Sequence, residues 1–97
     1  MIPTDVARFV ARKFDASEQD EALALLEAAR LHDGSAPEVR LLRCAAVASG
    51  GSIERLRMEI ETLKHDYRDV IVEGEYVPIE GKLVRIRNLG EPIPDDA

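Results

Sequence analysis

Ninety-seven residues, 45% of them apolar, suffice for one hydrophobic core, and a lone Cys44 excludes an internal disulfide. The net charge of −6 sets the chain against phosphate backbones unless its cations segregate on one face, and no apolar run approaches the roughly 20 residues of a membrane span. Only four aromatics occur (Phe9, Phe14, Tyr67, Tyr76), so the core must rest on Leu, Val, Ile and Ala. The unpaired cysteine suggests a reducing compartment. The opening MIPTDVARFV lacks the basic start and apolar stretch of a signal peptide, and the expectation is a cytoplasmic protein.

Thr4 is a candidate N-cap for a first helix over about 4–14, in which Val6, Phe9, Val10 and Phe14 share a face. Ser17, followed by Glu18, Asp20 and Glu21, suits the start of a second helix, because acids in a first turn complement the helix dipole. That helix, about 18–32, should stop at Asp33-Gly34, where glycine can take the left-handed conformation. Ser35-Ala36-Pro37-Glu38 combines a capping serine, a first-turn proline and a glutamate three residues on, which predicts a third helix over about 36–48. Its second half is apolar nearly all round and marks it as the central helix. Short connections would make neighbouring helices antiparallel.

The strongest periodicity follows the Ser49-Gly50-Gly51 break. Ile53, Leu56, Ile60, Leu63, Tyr67, Val70 and Gly74 alternate at spacings of three and four, with charged residues filling most of the gaps. This predicts a fourth helix over about 53–75, capped by Ser52, with one buried seam and a solvated back. Unbroken, it would run about 33 Å, farther than the preceding helices reach. A break near His65-Asp66, with Asp66 capping a further short helix, is the variant. The β-branched run Val70-Ile71-Val72 could form a strand, but the stripe passes through it and favours helix.

Beyond Tyr76 the prolines and glycines exclude long helices. Val77-Pro78-Ile79 and Lys82 to Arg87 could pair through Glu80-Gly81 as a short hairpin, with Pro78 restricting its strand to an edge. Alternatively the 77–97 tail docks its apolar side chains on helix four, with Pro92 to Ala97 frayed. The fold class is mostly α: a single domain, 1–97, built as a compact four-helix bundle with an irregular or hairpin-bearing tail.

The block from Gly50 to Tyr76, GGSIERLRMEIETLKHDYRDVIVEGEY, resembles the C-terminal part of small uncharacterised bacterial helical proteins. In these a Gly-Gly turn, a helix and an Asp-Tyr-Arg-Asp run recur. The resemblance implies a bacterial, cytoplasmic origin and carries no activity and no functional residue.

No motif requires a catalytic residue, a cofactor or a metal. Cys44 sits mid-helix among Leu41, Ala45 and Ala48, where cysteine acts as a small apolar filler; Arg40 and Arg43 nearby should face solvent. His65, Asp66, Asp69 and Glu73 fall at helical spacings along one edge, yet a helical di-metal centre needs matching motifs on further helices. Gly50-Gly51 lacks the strand and lysine of a phosphate loop. Lys82, Arg85 and Arg87 read as a solvated basic face. The 36–57 hairpin superficially suggests a helix-turn-helix, but Glu54 stands where a recognition helix wants polar or basic residues. The leading expectation is a non-enzymatic interaction module whose partner is itself, as a homodimer, or another protein. Its surface would be the far end of helix four, at Tyr67, Val70 and Ile71. A nucleic-acid-associated regulator using 36–57 is the alternative, and a metal-dependent enzyme is the least supported.

Overall fold

In a computed structural model, which describes residues 2–97, the chain folds into five α-helices and a terminal hairpin. They are α1 (Thr4–Lys13), α2 (Gln19–Ala28, entered through a 3₁₀ turn at Ala16–Glu18), α3 (Val39–Ser49), α4 (Ile53–His65) and α5 (Tyr67–Glu75). Strands β1 (Tyr76–Ile79) and β2 (Lys82–Arg85) follow. The expected fourth helix is therefore two. Asp66 leaves the helical region at φ −155° and ψ 95°, and its side chain accepts a bond from the Arg68 N–H to start α5. Val70-Ile71-Val72 lies inside α5 as helix.

Several boundaries shift for local reasons. Helix α2 ends at Ala28 rather than near residue 32, because Ala29 turns extended at ψ 138° and buries its methyl group. Helix α3 starts at Val39 rather than near 36. Ser35 does not cap it: its hydroxyl and its N–H both reach back to Asp33 Oδ1, at 2.6 and 3.0 Å. Pro37 also disfavours helical backbone at the residue before it. Neither Thr4 nor Ser17 is a cap, whereas Ser52 caps α4 by accepting from the Arg55 N–H at 3.3 Å. Gly50 closes α3 in the left-handed region at φ 61°.

The core joins Phe9 and Val10 of α1, Leu26 of α2, Cys44 and Ala45 of α3, Leu56 and Leu63 of α4, and Val70 of α5. Folding back at Asp66 lays α5 on α3, so Val70 and Gly74 of the stripe find their cover inside the chain, while Tyr67 stays half-exposed. The closest approach is at Gly74. A Cβ there would stand 2.8 Å from both Cα and Cβ of Cys44, so only glycine fits without displacement. Cys44 itself is completely buried.

Residues after the hairpin return to the body. Leu89 is fully buried, and Ile93 is nearly so. The Ile93 N–H donates to Asp5 Oδ2 at 3.0 Å, and Arg12 Nη2 donates to the Pro94 carbonyl at 3.3 Å. The segment from Pro92 is thus strapped to α1 instead of frayed, because Leu89 and Ile93 complete the core. Among the described residues no helix is long and apolar enough to cross a membrane.

Gly74→Ala should lower stability by about 1–3 kcal/mol through overpacking against Cys44, and Leu63→Ala by about 2–5 kcal/mol through the cavity it leaves. Urea unfolding measures both; a silent Gly74→Ala would refute the close helix contact.

Candidate functional site

Tyr67, Val70 and Ile71 do not form one patch. Val70 points into the core and is completely buried, Ile71 is half-buried, and Tyr67 is 48% exposed. Tyr67 stands as a ridge between two open grooves of about 490 and 370 Å³, which also share Leu31. The first is walled by the 31–33 loop and the α4–α5 junction, including Leu63. The second is floored by Leu41 and Ile71. Charges of both signs ring the pair: His32, Lys64, His65, Arg68 and Arg40 against Asp33, Asp66 and Glu38. The early end of α2 makes this shape, because it leaves Leu31 and His32 in a loop where the sequence suggests helix.

His65, Asp66, Asp69 and Glu73 are scattered to separate tasks. His65 Nε2 lies 3.1 Å from Glu61 Oε1, and Asp66 caps α5. Among the described residues no group of three or more His, Cys, Asp or Glu could hold a metal ion. In the α3–turn–α4 segment, Arg57 is paired with Glu21 of α2.

The arginines of α3 do not face solvent as expected. Arg40 grips Glu75 through two bonds, Nε to Oε2 at 2.9 Å and Nη2 to Oε1 at 2.8 Å. Arg85 Nη2 approaches the same carboxylate at 2.9 Å, and the Leu89 N–H donates to Oε2 at 3.0 Å. The Glu75 side chain is wholly buried. Its bonds to Arg40, then the Leu89 N–H and the charges of Arg40 and Arg85, outweigh burial and hold its pKa down to about 2. Arg87 donates to the Gly74 carbonyl at 3.3 Å, so Arg85 and Arg87 tie the hairpin to α5 rather than forming a free basic face. Arg43 meets Asp5 at 2.8 Å and the Leu89 and Gly90 carbonyls. Burial pushes the Cys44 thiol up to about 12, assisted by the Glu75 charge, which makes it a poor nucleophile.

A second acidic group is held the opposite way. Glu59 of α4 is only 6% exposed, and its Oε1 has no hydrogen-bond partner. Burial first, and then hydrogen bonding to Glu73 with repulsion from its charge, raises its pKa from 4.5 to about 8; Asp69 adds to the rise and Arg55 opposes it. At neutral pH Glu59 therefore keeps its proton. Spacing alone carries a signal for this burial. Glu59 lies only about 60° and 40° around the helix from Leu56 and Leu63, within the arc they define. Glu75 gives no comparable signal, because its partners Arg40, Arg85 and Leu89 are distant in sequence or follow a turn.

No family model, curated protein or solved structure matches this chain.

The buried Glu59 ties stability to pH in one direction. The unfolded chain releases this proton near 4.5 and the native chain near 8, so its contribution to stability is full below 4.5 and is lost as pH rises through 8. Glutamine has no proton to lose. Glu59→Gln should match the parent near pH 4 and exceed it by at least about 2 kcal/mol near pH 9, since each tenfold change in proton affinity is worth ~1.4 kcal/mol. Thermal melts across that range measure the difference; one independent of pH would refute the retained proton on Glu59. Glu75 acts oppositely: its contribution is present above 4.5 and lost as pH falls toward 2.

Proposed function

We propose that this chain is a non-enzymatic protein-interaction module whose working surface is the grooved face around Tyr67 and Ile71. One observation carries the reading. A half-exposed tyrosine, amphipathic and stiff, stands between two grooves with apolar floors and charged rims. Such residues anchor protein contacts, because the ring buries apolar area while the hydroxyl stays solvated. The grooves are open surface features walled by Leu31, Leu41 and Leu63, suited to apolar side chains from a partner segment. The mixed rim sets the orientation of that segment more than its affinity.

Self-association through this face is the simplest version, with Tyr67 of each copy entering a groove of the other about a two-fold axis. Val70 belongs to the core and takes no part. A cytoplasmic setting and a bacterial source remain part of this reading, on the strength of the lone cysteine and the resemblance of residues 50–76.

A photo-crosslinking amino acid placed at Tyr67 tests the surface in living source cells. The expected result is a discrete adduct that disappears when it is placed at exposed Asp20 instead. An adduct of twice the 10.8 kDa chain mass identifies a second copy. No discrete adduct, or the same one from both positions, would refute the surface.

A further inference from the structure

The terminal hairpin is the least covered element of the fold, and its two edges differ. Tyr76 pairs with Arg85, Val77 with Val84, Pro78 with Leu83 and Ile79 with Lys82. The two-residue turn has positive φ at both Glu80 (49°) and Gly81 (79°), as a type I′ hairpin requires. In that geometry Ile79 and Lys82 exchange backbone bonds, as do Val77 and Val84. The backbone groups of Pro78 and Leu83, and of Tyr76 and Arg85, therefore point outward.

On the β1 edge no donor is left. Pro78 has no N–H, and the Tyr76 N–H already donates to the Val72 carbonyl at the end of α5. On the β2 edge both Leu83 and Arg85 present N–H and C=O groups away from β1. Leu83 is 60% exposed, and Ile79, Val84 and Ile86 are each 40–48% exposed. Val77, Ile79, Val84 and Ile86 alternate onto one face of the hairpin. Two strands alone are marginal in water, and an open apolar edge invites another strand.

We propose that β2 pairs antiparallel with β2 of a second copy, making one continuous sheet with strand order β1-β2-β2-β1. The pattern of charges fits a second copy as the occupant and favours a register centred on Val84 over one centred on Arg85. With the two-fold axis at Val84, Leu83 of one copy and Arg85 of the other exchange both backbone bonds. Val84 meets its own mate, and the stem of Lys82 lies against Ile86. Directly opposed arginines, which an axis at Arg85 would create, are avoided. Glu80 of each copy arrives beside Arg87 and Asn88 of the other, setting carboxylate against cation at both ends. Because β1 has no donor on its outer edge, strand addition stops at two copies, and the sheet grows no further. This contact is separate from the Tyr67 grooves and leaves them free.

Analytical ultracentrifugation of the full chain carrying Tyr67→Asp, which removes any contact through the grooves, should show a species of twice the chain mass at high micromolar concentration. In that background Leu83→Pro should weaken it at least about tenfold, since each copy loses a backbone bond across the axis. Val84→Cys provides a readout that does not depend on a destabilising change. Cys44 is buried, so the new thiol is the exposed one, and under mild oxidation it should crosslink across the axis much faster than Ile79→Cys. A strict monomer overturns the proposal. So does a dimer that survives Leu83→Pro, or crosslinking at equal rates from positions 79 and 84. Pairing of β2 with a strand from a different protein would appear as a monomer in the purified chain and overturns it equally.

Discussion

Glu75 carries a buried negative charge, and so much of the chain converges on it that the fold is organised around its satisfaction. Arg40 comes from α3, Arg85 from β2 and the Leu89 N–H from the returning tail. Its own backbone carbonyl accepts from the Ile86 N–H at 2.8 Å, extending the hairpin ladder into the end of α5. Burying a carboxylate is costly unless it is paired and hydrogen-bonded, and removing one partner of such a set costs about 3–5 kcal/mol. A buried pair of this kind specifies an arrangement more than it adds net stability. Here the arrangement is the docking of the hairpin and tail on α5. The neighbouring Gly74 makes it reachable, because without a side chain α5 settles directly on Cys44 and brings Glu75 within reach of Arg40.

The two buried glutamates define opposite electrostatic regimes a few turns apart. Glu75 is charged because donors from three segments surround it. Glu59 is neutral at pH 7 because burial first, and then the neighbouring Glu73 carboxyl, disfavour its charge. The chain thus uses its arginines unevenly: Arg40, Arg43 and Arg85 secure buried or half-buried acids, while Glu59 between α4 and α5 keeps its proton instead. Arg43 repeats the Glu75 device at the other end of the tail, where Asp5 is bound by both the guanidinium and the Ile93 N–H. Although burial pushes the Asp5 carboxyl up, these bonds bring it below its usual value.

What the sequence makes legible is local. Apolar periodicity places the helical segments, the caps at Ser52 and Asp66 mark real starts, and Glu80-Gly81 marks a real turn. The mostly helical class and the terminal hairpin follow from those signals. The number of helices turns on one residue, Asp66, whose capping role competes with a stripe that runs straight through it. Ser35 misleads because Asp33 offers its hydroxyl a nearer acceptor than the helix end. Arg40 and Arg43 look like a solvated face until their distant acids are located. The candidate surface is legible only in part: Tyr67 is exposed, but the grooves beside it depend on a loop, and Val70 turns inward once α5 folds onto α3.

Native-state hydrogen exchange at Leu89 and Ile86 tests the central role of Glu75 most directly. Their amides bond to the Glu75 carboxylate and carbonyl respectively, in a segment with no regular secondary structure of its own around Leu89. If Glu75 locks the tail and hairpin to the core, both amides should exchange as slowly as those in the middle of α3, through global unfolding alone. Exchange of the Leu89 amide orders of magnitude faster than α3 would mean that the tail opens independently, and the account would fail.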